Sequence, residues 1–254
     1  MGALQALRRR GRAVLRLNEG HYPPLFTPKP LGPEIWTVDG PAIRFYGMPF
    51  PTRMVVVRLG DALWLHSPVA WTGGLDAALG RIGRVAFLVA PNPIHYWYLP
   101  DWAKRHPGAE VHAAPGVAAR AASRGVAFPA HEVLGDTPPD GWAGAIDQRL
   151  IPGHPFLKEV VFFHRASGTL ILADLIENFE PGKLSLPLRL AARIAGILAP
   201  RGRTPVDARL TWHDRAAARE AIREVIGWAP ARIAMAHGAI IERDATARLR
   251  AAFA

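Results

Sequence analysis

The sequence predicts an α/β fold in which sheets pack together and helices cover them on the outside. Three observations point there. Half of the 254 residues are apolar, enough for a sizeable core. Strand-like runs open each half of the chain, and helical runs follow them. Two turn signals, Gly60-Asp61 and Ala166-Ser167-Gly168, each sit between apolar runs as hairpins require.

The elements follow in order. Residues 1–34 begin with a short helix-like piece and become proline-rich (YPPLFTPKPLGP), so they read as an arm laid over the domain of residues 35–254. EIWTVDG, AIRFYG, MVVVRL and ALWLHSPV are predicted strands, followed by a helix over Leu75–Ile82 and a short buried strand over Val85–Ala90. Pro100–His106 and Val117–Ser123 are predicted helices flanking the strand VHAAP. After the loop GDTPPDGWAG come the strands QRLIPGH, EVVFFHR and TLILADLI. Residues 184–199 and 213–226 read as helices, RIAMAHG as a last strand, and a short helix ends the chain.

Composition narrows the chemistry. No cysteine is present, which excludes disulfides, thiolate metal sites and cysteine nucleophiles. A metal would need His, carboxylate or amide ligands. The net charge is +10, and only four of the 31 basic residues are lysines. The arginines are scattered except for RRRGR at 8–12, and the aromatics are not interleaved with them, so there is no strong nucleic-acid signal. No apolar core of a secretory signal follows the basic N-terminus, and the expected compartment is cytoplasmic. Segment 184–199, LSLPLRLAARIAGILA, carries Arg189, Arg193 and Pro187 and falls short of the ~20 apolar residues of a span. It reads as an amphipathic helix, packed on the domain or in peripheral contact with a membrane.

Ten histidines are present, and their position relative to strand ends separates them. His95, His154 and His237 each lie just beyond an apolar strand, and Asp174 ends TLILAD in the same way. Loops at strand ends are where rigid scaffolds place functional side chains. Three imidazoles and a carboxylate there form a candidate divalent-metal site for Zn, Fe or Mn. The structural alternatives are a backbone-bonded histidine and a turn-forming aspartate. His66 also ends a strand, as a candidate supporting residue. Tyr96, Trp97 and Tyr98 directly behind His95 either wall a pocket or pack under the next helix.

IPGHPF at 151–156, TLILADLI at 169–176 and MAHG at 235–238 occur in the order of motifs in the metallo-β-lactamase superfamily, and HRASGTLILADL is similar to its hairpin. MPFPTRMVVVRL, LHSPV and APNPIHYWYL resemble, more closely, an uncharacterised bacterial branch of it, a domain of unknown function with no assigned reaction. The resemblance spans roughly residues 35–245 and implies an αβ/βα four-layer sandwich. It also implies that the first motif, H-x-H-x-D-H, is degenerate here. With its last histidine on His95, the other ligand positions fall on Ala90, Asn92 and Ile94. The implied centre is mononuclear, with His95, Asp174 and His237 as ligands and His154 as a fourth, while Asn92 orients water or a substrate carbonyl.

The functional expectation is a metal-dependent hydrolase with one divalent ion acting on a small-molecule ester, lactone, amide or phosphoester. The alternative is a non-catalytic binder of the same fold. An iron protein handling oxygen and a nucleic-acid binder are further readings, the last resting on charge alone. Lys158 and Glu177 are candidate auxiliaries, each with surface solvation as its simpler role.

Overall fold

A computed structural model describes residues 20–45 and 47–253. The helix-like piece and RRRGR expected in the first 19 residues lie outside the described residues. The described strands form two sheets. The first has seven strands in chain order: β1 (Lys29–Gly32), β2 (Ile35–Phe45), β3 (Met48–Leu59), β4 (Ala62–His66), β5 (Arg84–Ala90), β6 (Glu110–Ala113) and β7 (Glu132–Val133). It is antiparallel from β1 to β4 and parallel from β4 to β7. The second runs β11 (Arg232–Ala234), β10 (Thr169–Ile171), β9 (Glu159–His164), β8 (Ile146–Ile151).

EIWTVDG and AIRFYG prove to be one strand, β2, whose register against β3 shifts between Gly40 and Ile43. The proline-rich arm contributes β1, which pairs with β2 at the edge of the sheet. An edge tolerates Pro30, which cannot donate to a ladder.

Three helices accompany the first sheet: α1 (Gly73–Gly80), α2 (Leu99–Arg105) and α3 (Val117–Ala122). α4 (Leu186–Ala195), α5 (Val206–Leu210), α6 (Arg215–Gly227) and α7 (Ala245–Ala252) follow β10 or β11. α4 is shorter than the predicted 184–199 because Gly196 takes φ 80°, a left-handed stop at the helix end. α5 was not expected.

Alternation in β9 explains the layering. Val160 and Phe162 pack with the first sheet in the main core, while Val161 packs with α6 and α7 in a second one. The second sheet is therefore buried on both faces, which is why VVFF at 160–163 reads as an unbroken apolar run. The molecule is an αβ/βα sandwich, and the strand exits that carry His95, Asp174 and His237 meet at one edge of it.

Candidate metal centre

Register does much of the assembly. β10 and β11 are parallel, with Ile171 opposite Ala234. Asp174 and His237 each lie three residues beyond those positions and leave the sheet side by side. A bridge between Asn178 and Gly238, with the Asn178 N–H donating to the His237 carbonyl at 3.1 Å, holds the two exits together. Gly238 has φ 101°, and a Cβ there would fall 2.2 Å from the Asn178 oxygen, so only glycine fits. The third exit comes from the other sheet. After β5 the chain turns at Asn92, whose side-chain oxygen accepts from the N–H groups of Ile94 and His95. The Val160 N–H donates to the Pro91 carbonyl at 2.9 Å and ties this loop to β9.

His95 Nε2 lies 3.0 Å from Asp174 Oδ2, His237 Nε2 3.1 Å from Asp174 Oδ1, and the two Nε2 atoms 3.2 Å apart. Ligands at about 2.0–2.1 Å from a tetrahedral ion are roughly 3.3 Å apart, so the spacing suits one small divalent cation. The far side of each ring is engaged. His237 Nδ1–H donates to the Pro51 carbonyl at 2.6 Å, and His95 Nδ1 meets the Ser67 hydroxyl at 2.7 Å. Engaging Nδ1 aims Nε2 inward, as metal-binding imidazoles require. Ser67 sits at φ 52°, rarely occupied by a non-glycine residue, directly beside this contact.

Three buried polar side chains support the ligands. Glu159, at the start of β9, accepts from the N–H groups of Ala173, Asp174 and Leu175 and from Asn92 Nδ2. Asn92 Nδ2 also donates to Asp174 Oδ2 at 2.7 Å. Arg53 of β3 donates from one Nη to the carbonyls of Met235 and Gly238, bracketing His237, and pairs with Asp39 at 2.9 Å.

Electrostatics follow the contacts. Burial alone would raise the Asp174 carboxyl, but His95 and His237 hold it well below the usual carboxylate range. Burial, the largest single influence, pulls His95 down, yet the Asp174 charge, its hydrogen bond and the Glu159 charge together outweigh it and leave the imidazole above its ordinary value. Burial, then the neighbouring Asp174, pushes Glu159 up to about 7 against its hydrogen bonds. Two imidazole nitrogens and a carboxylate at such distances are a donor set for a divalent ion.

A family model described as a domain of unknown function, DUF4336, matches residues 33–182. The chain belongs to the DUF4336 family. No curated protein matches this DUF4336 chain in sequence. Among solved structures it is similar to the metallo-β-lactamase FIM-1 of Pseudomonas aeruginosa in its mono-zinc form. That likeness has 15% identity and a TM-score of 0.61, and it covers 89% of this chain and 92% of that one. A metallo-β-lactamase of Hirschia baltica gives 13% identity and 0.62 over 89% and 95%. The metal-soaked Flv1 flavodiiron core of Synechocystis sp. PCC6803 gives 12% and 0.61 over 89% of this chain and 59% of that one. At these identities the likeness establishes the metallo-β-lactamase fold.

The DUF4336 match contains Asn92, His95, His154, Glu159 and Asp174 but stops short of His237. Of the expected site residues, His95, Asp174 and His237 come together. His154 lies outside this cluster among the described residues. Its Nδ1 accepts from the N–H groups of Phe156 and Leu157, and its Nε2 bonds Thr211 Oγ1 at 3.0 Å. Asn92 lies beside Asp174, with its two amide hydrogens donated to Glu159 and Asp174 and its oxygen accepting from Ile94 and His95. Glu177, expected on the surface, is buried, and burial raises its pKa well above the ordinary range. Lys158 is exposed as expected. Tyr96 is buried in the main core and Tyr98 packs against it, whereas Trp97 is 52% exposed. Glu159, Ser67 and Arg53 escaped the sequence reading. The available signal was a charge inside an apolar run, Glu159 opening EVVFF and Arg53 preceding MVVV.

Proposed function

We propose that this protein is a hydrolase using one divalent ion, held by His95, Asp174 and His237, on a small-molecule ester, lactone, amide or phosphoester. The observation that carries this reading is the triangle of 3.0, 3.1 and 3.2 Å among His95, Asp174 and His237, with Nδ1 of each histidine engaged away from it. The ion is Zn, Fe or Mn by ligand chemistry; its contribution when bound is to acidify water for attack at neutral pH. Asp174 stays ionised, so it acts as ligand and hydrogen-bond acceptor and not as a proton donor. Asn92 and Glu159 position Asp174, while Ser67 and Pro51 set the two rings. The first motif of the fold is degenerate, with Ala90, Asn92 and Ile94 at positions that would otherwise ligate, and this supports one ion over two. The catalytic unit is residues 35–254, with residues 1–34 as its arm.

A second reading, a binder without turnover, draws on Asn92, whose amide hydrogens and oxygen are all bonded inside the protein. One experiment separates the readings. Elemental analysis is run on the purified protein and on a His95→Ala/His237→Ala variant, beside an esterase, lactonase and phosphodiesterase screen of both. The hydrolase reading expects about one ion per chain and turnover in the wild type only. Metal without turnover selects the binder, and equal metal content in both proteins removes the site.

A further inference from the structure

We infer that the outward face of α4 docks on an anionic lipid surface. α4 is apolar on two sides. Ala192 is buried and Leu188 and Ala195 partly so, on a cluster that includes Phe179 and Phe50. The opposite side leaves Leu186 74%, Leu190 61% and Ile194 71% exposed. Their spacing of four residues puts them in one stripe, about 12 Å long at 1.5 Å rise per residue. Leu210 of α5, which packs against α4, is 73% exposed as well. Scattered apolar residues on a surface are ordinary, but a continuous stripe on one helix marks an interaction face. The ordinary case is visible in α6, which buries Ala218, Ala221, Ile222 and Val225 and turns Arg219, Glu220, Arg223 and Glu224 to solvent.

Charge selects the occupant. From Pro181 to Val206 the chain carries Lys183, Arg189, Arg193, Arg201 and Arg203 and no acidic residue. Exposed Arg193 lies along one side of the stripe, where its stem can follow the apolar surface while the guanidinium group reaches headgroups; Arg189, one turn before it, is half-buried and donates its Nε to the Pro181 carbonyl at 3.1 Å. A second copy fits worse, because a two-fold contact would place each cationic array against its own image. No helix among the described residues is long and apolar enough to cross a membrane, so the contact is one of resting on the surface. The Phe50 ring, part of the cluster under the buried side of α4, also meets the His237 ring edge-on at 5.0 Å, so that inner side of the helix, opposite the docked face, is one side chain removed from His237.

The test is co-sedimentation of the full chain with phosphatidylcholine vesicles, with and without about one-third phosphatidylglycerol. The expected result is binding to the anionic vesicles alone, weakening as salt rises. Leu186→Ser/Leu190→Ser/Ile194→Ser, checked for unchanged circular dichroism and thermal unfolding, is expected to lower binding at least about a hundredfold. Arg193→Glu/Arg201→Glu, both exposed, is expected to lower it at least about tenfold. Three results would overturn the inference. One is no binding to anionic vesicles. Another is undiminished binding by the triple serine variant, which would assign the attraction to another basic segment such as RRRGR. The last is a wild-type dimer that the triple variant converts to monomer in sedimentation, which would give the face to a second copy.

Discussion

His95 and His154 both follow an apolar strand, one leaving β5 and the other β8, yet they end in different chemistry. The His95 ring is clamped from behind by Ser67 and presents Nε2 to Asp174 and His237. The His154 ring is turned into its own loop, its Nδ1 taking two backbone N–H groups and its Nε2 meeting Thr211. His66, at the end of β4, is a third case. It stacks on Trp64, meets the edge of Phe162, and neither of its nitrogens has a hydrogen-bond partner among the described residues. A histidine beyond a strand is thus a position, and the partners of its two nitrogens decide what it does.

The largest effect expected on this comparison is from the His95→Ala/His237→Ala variant. Metal content should fall from about one ion per chain to a background level, because a single carboxylate does not retain a transition ion. Retention would dissolve the distinction between the His95 and His154 loops. Asn92→Ala comes next. It keeps all three ligands but removes the amide donors to Asp174 and Glu159, and metal affinity measured by chelator competition should drop about 10–100-fold. An unchanged affinity would reduce Asn92 to a loop former.

His66 yields a pH prediction. Burial holds its folded pKa down to about 3 from an ordinary 6.5. Below pH 6.5 the unfolded chain takes up a proton that the folded chain refuses, so this group costs stability as pH falls from about 6.5 toward 3. By pH 5 the cost is about 2 kcal/mol at 1.36 kcal/mol per unit. His66→Phe keeps the aromatic contacts and should remove that part of the acid slope in urea unfolding at pH 7 and pH 5. An identical slope would mean that His66 titrates freely in the fold. The smallest effect belongs to His154→Gln, which should leave metal affinity unchanged and cost about 1 kcal/mol of stability through its local hydrogen bonds. A loss of metal to match that of Asn92→Ala would bring His154 back into the centre.

Legibility in the sequence followed the range of the interaction. Strands β2 to β6 and β8 to β11 were readable because apolar runs and turn residues act within a few positions, whereas β1 in the proline-rich arm and the two-residue β7 were not. The merger of two predicted strands into β2 was not, since GP at 40–41 signals a break locally and only the long partner strand β3 carries the pairing across it. Glu159 looked like the polar start of a strand and became the acceptor for three backbone N–H groups of the Asp174 loop. That role depends on β9 and β10 pairing side by side, which no local pattern encodes.

What the sequence determined by itself was the supply of parts: no thiol, histidines and an aspartate at strand exits, and an apolar pattern that needs sheets covered by helices. Only the tertiary structure decided which parts meet. Parallel pairing of β10 with β11 put positions 174 and 237 at equal distance past the ladder, and the Pro91–Val160 hydrogen bond brought the β5 exit to them. The physical reason is that side-chain direction depends on contacts from other segments, and those contacts exist only once the two sheets have closed on one another.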